Sequence, residues 1–431
     1  MLFSIITFGC KTNQYESQAI REELLAAGHA ETADPARAET LLINTCTVTG
    51  RADATWRHAA VRARRENPGV RIFLLGCAVT ANPAAAADNF AKLGIAVEHV
   101  FRNREKGAVS AYFAGNPPRE NRPGGADDNF SLRVNAFSGH TRAFLKIQDG
   151  CDNRCSYCII PTARGRGRSR PAGEILDEAS RLADNGYLEI VLTGINIGAY
   201  NDAGLRLSGL IRRLAAVPGL LRLRLGSVEP QEVTDDLLAA MREKPNICHH
   251  LHLPLQSGAA ETLRRMNRKY TLEQFTDTLA RVRAALDRPA VTTDIITGFP
   301  GETDAQAAET LRTVRAAGFA RAHIFLFSAR AGTPAAAMKP THPQLVEDRR
   351  RELNAVCEET AAAYARSLVG GKEAVLVETL TAGGAEGYGE RYLRTRIAGA
   401  GADFRKKIMA VRITGAAGCE LTATPLNEES L

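Results

Sequence analysis

The sequence has no uninterrupted apolar run of about eighteen residues, the length that a helix needs to cross a bilayer. It also lacks low-complexity tracts and solenoid repeats. The amino-terminal stretch MLFSIITFGCKTN is apolar, but it has no basic lead and no small-residue cleavage site, so it predicts a first strand and not a secretory signal. These absences predict a globular, cytoplasmic protein that does not use a membrane.

The chain has enough material for two or three domains, because 431 residues with 45% hydrophobic content can bury more than one core. Nine cysteines in a cytoplasmic chain favour metal ligands or catalytic groups over disulfides. A net charge of +7 favours an anionic partner such as nucleic acid, although in a chain of this length the excess is a weak signal.

Three short apolar runs near the amino terminus each end at a cysteine. The runs LFSIITFGC, TLLINTC and VRIFLLGC end at Cys10, Cys46 and Cys77, and two helical patterns lie between them. This βαβαβ alternation predicts a doubly wound parallel sheet over residues 1–115. Because ligands of such sheets bind beyond the carboxyl ends of the strands, we expect the three thiols to share one rim.

Changes in composition divide the rest of the chain. Pro, Gly, Asn and charged residues dominate 116–136, which we interpret as a linker. Six strand–helix units over 137–366 predict a TIM-like β/α barrel, complete or partial, with functional groups just after its strands. Residues 367–431 combine strand patterns with short turns and predict a small all-β barrel. The predicted fold class is therefore α/β, followed by this barrel.

A second cysteine set lies in GCDNRCSYC, where Cys151, Cys155 and Cys158 have the spacing C-x3-C-x2-C. A structural zinc site needs four ligands, and no fourth cysteine or histidine stands nearby. Three thiolates can instead hold three irons of a cubane cluster and leave the fourth iron open, for example to S-adenosylmethionine. The spacing after a strand resembles the radical S-adenosylmethionine superfamily; the alternatives are a zinc loop or incidental thiols.

Polar and glycine residues after successive barrel strands resemble the positions that hold S-adenosylmethionine in that superfamily. Each of them could also be a turn residue or a polar group of the barrel core, and only their joint position after the strands favours cofactor binding. The candidates are Gly194, Asn196, Ser227, Glu229, Gln256 and Asp294.

The motifs FGCKTNQYES, INTCTVTGRAD, LLGCAVT, HLPLQSG and TDIITGFPGET, together with the second cysteine set, resemble the methylthiotransferase family over essentially the whole chain. The resemblance implies two [4Fe–4S] clusters, S-adenosylmethionine as methyl donor and radical source, and a carboxy-terminal TRAM domain that binds RNA. Cys10, Cys46 and Cys77 would hold the auxiliary cluster, for which buried thiols are the alternative. The second set would hold the radical cluster.

Clustered cations are candidates for contact with RNA, although a solvated surface run and a mere folding module are the alternatives. The candidates are Arg164, Arg166, Arg168 and Arg170 after the second cysteine set, and Arg391, Arg394, Arg396, Lys406 and Lys407 in the carboxy-terminal barrel, beside Arg405.

The segments CKTNQYES and NTCTVTGRADA resemble the branch of the family that acts on N6-threonylcarbamoyladenosine beside the anticodon of tRNA. This substrate carries a carboxylate, which would suit one of the four arginines in PTARGRGRSR. The alternatives are isopentenyl-adenosine in tRNA, an aspartate of a ribosomal protein, and an RNA-binding Fe–S sensor without catalysis. The expected partners are tRNA and an electron donor of the flavodoxin or ferredoxin type, with the enzyme a monomer.

Overall fold

The structure is a computed structural model that describes residues 1–48, 50–83, 90–92, 94–115, 128–137, 139–399 and 404–426. Most of the predicted linker therefore lies outside the described residues. The chain forms two compact units. The first comprises Met1–Ala136, Gln148–Arg170 and Ser328–Ala336, and the second comprises Phe137–Ile147, Pro171–Phe327 and Ala337–Leu431. The loop with the second cysteine set thus belongs to the first unit.

The strands described are, in chain order, β1 Leu2–Thr7, β2 Ala30–Glu31, β3 Thr40–Thr45, β4 Arg71–Gly76, β5 Val97–Phe101, β6 Ala143–Lys146, β7 Gln148–Asp149, β8 Arg168–Ser169, β9 Glu189–Thr193, β10 Asn201–Asp202, β11 Leu205–Arg206, β12 Arg222–Arg224, β13 His250–His252, β14 Ala290–Thr297, β15 Arg321–Leu326, β16 Lys372–Thr381, β17 Gly384–Gly389, β18 Arg394–Ala398, β19 Ile408–Ala417 and β20 Glu420–Pro425.

The α-helices described are α1 Lys11–Ala26, α2 Gly50–Glu66, α3 Cys77–Ala81, α4 Val109–Phe113, α5 Ile160–Arg164, α6 Ala172–Asp184, α7 Leu207–Leu214, α8 Asp235–Glu243, α9 Ala260–Arg265, α10 Leu272–Ala285, α11 Asp304–Ala317 and α12 Pro343–Ser367. Within these described residues, no helix combines the length and apolarity needed to cross a membrane.

The first unit contains a parallel sheet with strand order β2-β1-β3-β4-β5. This is a doubly wound order, and it confirms the predicted amino-terminal sheet. The direction of winding reverses between β1 and β3, where a crevice opens beyond the carboxyl ends of the strands. The apolar strands are buried because helices cover them, and the core includes Leu41, Ile43, Leu74 and Trp56.

The second unit begins with six parallel strands that pair in the order β6-β9-β12 and β13-β14-β15. Isolated parallel bridges, such as Leu223 with Ile247 and Ser227 with His252, join the two groups of three. Each strand was predicted from its apolar run, and helices separate successive strands. The result is a TIM-like arrangement with six strands where a full barrel has eight.

The end of the second unit is a closed barrel of strand order β16-β17-β18-β20-β19, which confirms the predicted small all-β domain. Alternate residues such as Val375, Val377 and Val411 point into its core, while their neighbours face outward. Tyr388 and Tyr392 lie against the arginines of the β/α strands, with the Arg224 guanidinium 4.5 Å from the Tyr392 ring centre.

Candidate cysteine and cofactor sites

The first cysteine set follows three neighbouring strands. Cys10 caps the start of α1 just after β1, Cys46 follows β3, and Cys77 is the first residue of α3 after β4. The thiols therefore lie at the rim where the sheet reverses its winding, as predicted. Cys46 and Cys77 are buried, and Cys10 is exposed.

Two glycines with left-handed backbone bring this set together. Gly9 has φ +100°, and a Cβ there would lie 2.9 Å from the Cys46 sulfur. Gly76 has φ +106°, and its Cβ would lie 2.5 Å from the Thr45 carbonyl oxygen. A side chain at either position would be strained and would collide with the neighbouring strand end, so both cysteine turns depend on glycine.

The surroundings of Cys46 in the first set favour its neutral thiol. Burial, with a smaller contribution from the nearby thiols of Cys77 and Cys10, raises the pKa of Cys46 to about 11. A metal centre must therefore deprotonate this thiol as it binds. Asn103 donates from Nδ2 to the Cys77 sulfur over 3.5 Å, the kind of hydrogen bond that tunes thiolates in Fe–S sites.

Three thiols in each set are one ligand short of the four that a structural zinc ion takes. Among the described residues, no three His, Cys, Asp or Glu side chains converge closely enough to hold one ion. A cubane cluster has no such requirement, because each cysteine binds a different iron. The donor set of each trio, three thiols, therefore fits a cubane with one iron open better than it fits zinc.

The second cysteine set sits in a loop that is closed at its base. Strands β7 and β8 pair there as an antiparallel ladder, and the Cys151 amide donates to the Gly165 carbonyl over 3.1 Å. Gly150 has φ +73°, and a Cβ there would collide with the Arg166 carbonyl oxygen. A turn between Cys158 and Cys155 folds the middle of the loop. The three thiols therefore lie in a short loop whose two ends are joined by the pairing of β7 with β8.

A buried polar network joins the two cysteine sets within the first unit. Arg164 donates to Glu16 and Asp149 over 2.9 Å each and to Asn13 over 2.6 Å. Lys106 also donates to Glu16, and the side chains of both cations and both carboxylates are fully buried. Because Glu16 belongs to the helix after Cys10 and Asp149 to the base of the second loop, the network fixes one cysteine set against the other.

The network balances its own charges. Burial by itself would lower the pKa of Arg164, but Asp149, Cys77 and Glu16 outweigh burial and raise it well above the usual range. Burial lowers the pKa of Lys106, and Glu16 opposes the change. Two cations face two carboxylates, so the electrostatic cost of burial is offset by close pairing.

Two of the four arginines predicted to contact RNA are therefore interior residues. Arg164 is part of the buried polar network. Arg170 is 1% exposed, and its guanidinium lies 3.3 Å from the Tyr15 hydroxyl. Arg168 lies over the Phe130 ring at 5.1 Å and is largely covered. Arg166 alone of the four reaches solvent fully, beside Asp152. Burial thus removes Arg164 and Arg170 from the predicted RNA-contacting set.

Five of the six residues predicted to bind S-adenosylmethionine lie after successive strands of the second unit. Asn196 and Gly194 follow β9, Ser227 and Glu229 follow β12, and Gln256 follows β13. Gln256 has φ +62°, unusual for a residue with a side chain, and backbone hydrogen bonds hold it between Asp294 and Ile296 of β14. Such backbone strain is often found at functional sites.

Glu232 is a residue of this region that the sequence did not reveal. It accepts a hydrogen bond from Asn196 over 2.9 Å, and burial raises its pKa to about 7. Burial also raises the pKa of Glu229, which pairs with Arg268. Two carboxyls with raised pKa values after β12 make this region a candidate functional site. Only its position after a strand could have pointed to Glu232.

Asp294 lies inside β14 and pairs with His252, with 3.2 Å between Oδ2 and Nε2. His250 and His252 both hydrogen-bond to Thr292 across the strands. Cys248 is fully buried, and burial raises its pKa. Residues 248–252, CHHLH, thus end in the barrel strand β13, whose two histidine side chains bond to the neighbouring strand β14.

The cations of the carboxy-terminal barrel differ in their exposure. Arg391 is 4% exposed and pairs with Glu373 over 3.0 Å. Because it is buried, Arg391 is also removed from the residues predicted to contact RNA. Arg394 and Arg396 are partly exposed and pair with Glu386 and Glu420. Arg405, Lys406 and Lys407, which precede β19, form a run of three consecutive exposed cations in the barrel.

Family comparisons agree with this division of the chain. Residues 145–314 match the model of the Radical SAM superfamily, and residues 2–97 match that of Uncharacterized protein family UPF0004. Among solved structures, the radical S-adenosylmethionine methyltransferase TsrM from Kitasatospora setae has a TM-score of 0.56, with 15% identity over 78% of this chain and 75% of that chain. At that identity the likeness concerns the fold alone.

Curated relatives are similar over most of their length. Threonylcarbamoyladenosine tRNA methylthiotransferase MtaB from Chlamydia pneumoniae is 37% identical over 90% of this chain and 89% of the relative. The protein of the same name from Bacillus subtilis is 38% identical over 83% and 81%. The tRNA-2-methylthio-N(6)-dimethylallyladenosine synthase from Frankia casuarinae is 37% identical over 87% and 71%.

Proposed function

Because this chain belongs to the methylthiotransferase family of radical S-adenosylmethionine enzymes, we propose that it converts N6-threonylcarbamoyladenosine beside the anticodon of tRNA into its 2-methylthio derivative. The observation that carries the proposal is the pair of three-cysteine sets held in one compact unit by a buried ion network. Relatives at 36–38% identity are named for this substrate.

Each cysteine set has its own role in the proposal. Cys151, Cys155 and Cys158 hold one [4Fe–4S] cluster, and Cys10, Cys46 and Cys77 hold a second. The group held by Cys151, Cys155 and Cys158 would supply the electron that cleaves S-adenosylmethionine to methionine and a 5′-deoxyadenosyl radical, which would remove the hydrogen from C2. The group held by Cys10, Cys46 and Cys77 would supply the sulfur, and another S-adenosylmethionine would supply its methyl group. The protein's task is to hold the two sets in fixed register, and the closed loop and the strand-end glycines support that task.

The residues after the strands of the second unit hold S-adenosylmethionine in this proposal. Asn196 and Glu232 form a hydrogen-bonded amide–carboxyl pair that suits the ammonium and carboxylate of an amino acid. Gln256 offers its amide from a strained turn. The other proposed contacts are Gly194, Ser227, Glu229 and Asp294.

The partners follow from surface charge. A cavity of about 620 Å³ beside Cys151 is lined by Arg104, Arg154 and Arg166, and it suits an acidic electron donor of the flavodoxin or ferredoxin type. The exposed cations before β19 suit tRNA phosphates. The enzyme acts as a monomer, since each cysteine set comes from one chain, and works in the cytoplasm, where thiols stay reduced.

The test is a competition between two substrates. Reconstituted enzyme, S-adenosylmethionine and a reductant are incubated without oxygen with two tRNAs, one carrying threonylcarbamoyladenosine and one carrying isopentenyl-adenosine. Nucleoside mass spectrometry should detect 2-methylthio-threonylcarbamoyladenosine as the main product. Preferential modification of the isopentenyl tRNA would instead assign the function of the dimethylallyladenosine relatives.

A further inference from the structure

A cavity of about 320 Å³ in the first unit touches the residues that follow three of the cysteines. Thr47 follows Cys46, Ala78 follows Cys77 and Ile159 follows Cys158, and all three line the cavity. Its volume lies at the lower end of the range for small-molecule sites. A group bound here would lie beside both cysteine sets.

Among the described residues that line the cavity, Arg57 is the one cation without a carboxylate partner. Asp53 and Arg330 both line the wall, and they form an ion pair with each other. Arg57 also lines the wall, and its Nε donates to the Asp53 backbone carbonyl over 3.1 Å. Among the residues that the structure describes, the two terminal nitrogens of Arg57 have no hydrogen-bond acceptor and no carboxylate partner.

The Arg57 guanidinium is held in place by its neighbours. Its Cζ lies 5.8 Å from the centre of the Trp56 ring, and Trp56 is packed against Phe90 in the core. The hydrogen bond from Nε to the Asp53 carbonyl fixes the opposite edge of the planar guanidinium. The terminal nitrogens are thereby preorganised as a fork, which is the geometry that binds a carboxylate through two parallel hydrogen bonds.

We infer that Arg57 binds the carboxylate of the threonylcarbamoyl group and so selects the substrate. The inference rests on the proposed function and deepens it. The arginine-rich run after Cys158 is a poorer source of this contact, because Arg164 and Arg170 are buried in other interactions and Arg168 is largely covered. An isopentenyl group has no charge to offer, so it would leave the Arg57 fork without a partner in a partly enclosed cavity.

The test measures how binding depends on the modification. The affinity of the reconstituted enzyme is measured for one tRNA in two forms, with threonylcarbamoyladenosine and with unmodified adenosine beside the anticodon. Arg57→Gln should reduce the ratio of the two affinities about 10- to 100-fold, the range for loss of a charge-assisted hydrogen-bond pair. Arg57→Lys, which keeps the charge without the fork, should recover part of the ratio.

The matched control is Arg62→Gln on the same helix. Arg62 is 67% exposed and lies 3.6 Å from Glu66, so its loss removes an equal charge away from the cavity and should leave the ratio unchanged. If Arg57→Gln weakens both tRNA forms equally, Arg57 contacts phosphate and the inference is overturned. The inference is also overturned if Arg57→Gln leaves the ratio of the two tRNA affinities unchanged. A wild-type enzyme that prefers the isopentenyl tRNA would overturn the proposed function itself.

Discussion

At the scale of the residue, location decides what an arginine does. Arg164 and Arg166 stand two positions apart in the same basic run, yet one is fully buried between carboxylates and the other is 91% exposed beside Asp152. A buried ion pair loses much stability when one partner is removed, because the remaining charge keeps its desolvation cost. An exposed pair contributes little.

Replacing Arg164 by Met should therefore lower the free energy of unfolding by about 3–5 kcal/mol, since Glu16 and Asp149 would stay buried with less positive charge nearby. Anaerobic thermal unfolding followed by circular dichroism measures the change. The matched variant Arg166→Met should leave the unfolding temperature nearly unchanged. Equal effects of the two substitutions would contradict a structural role for the network.

The sequence alone could not show that Arg164 is buried and Arg166 is exposed. TARGRGRSR alternates arginine with small residues, which predicts a uniform cationic surface. The partners that bury Arg164 are Asn13 and Glu16, about 150 positions away, and local periodicity carries no information about such contacts. The two cysteine sets could be recognised in the sequence because their signal is local: a spacing in one set, and the end of an apolar strand in the other.

At the scale of the element, the strand-to-helix turn determines where the first cysteine set points. Each of β1 and β4 ends near a glycine with positive φ, and the cysteine follows at the start of a helix. The sequence predicted the strands and helices well, since buried parallel strands are continuous apolar runs. It did not reveal how closely Gly9 and Gly76 approach the neighbouring strand end, because that distance depends on strand pairing.

Gly9→Ala should lower the iron content by one cluster, because the new Cβ would lie 2.8 Å from the Cys46 Cβ and displace Cys10 or Cys46. Iron and sulfide assays on anaerobically reconstituted protein measure the loss. The control is Gly28→Ala, which also has positive φ, at +82°, but meets no atom within 4 Å. The Gly28→Ala variant should also be strained by its positive φ, but it should keep a full iron complement. Full iron in Gly9→Ala would show that the turn tolerates a side chain.

At the scale of the whole molecule, the carboxy-terminal barrel is part of the architecture of the second unit as well as a candidate for binding RNA. Arg224 is 1% exposed and donates to Glu189 and to the carbonyls of Gly389 and Glu390, and Arg222 donates to the Tyr388 carbonyl. Deleting the barrel would uncover this buried cluster in the β/α strands. Truncation would therefore confuse loss of RNA binding with loss of folding, and surface substitutions are the sharper test.

Neutralising Arg405, Lys406 and Lys407 together with Gln should weaken tRNA binding without changing the unfolding temperature, because all three side chains are exposed. If each meets a phosphate, the slope of log affinity against log salt concentration should become shallower by about 0.7–0.9 for each phosphate that is no longer neutralised. Fluorescence anisotropy over a salt series measures both quantities. The control removes the same charge elsewhere in the second unit by replacing the exposed Arg312, Arg315 and Lys339 with Gln. A reduction in affinity shared equally by the two triple variants would mean that net charge alone attracts the tRNA, and the barrel would then have no specific part in binding it.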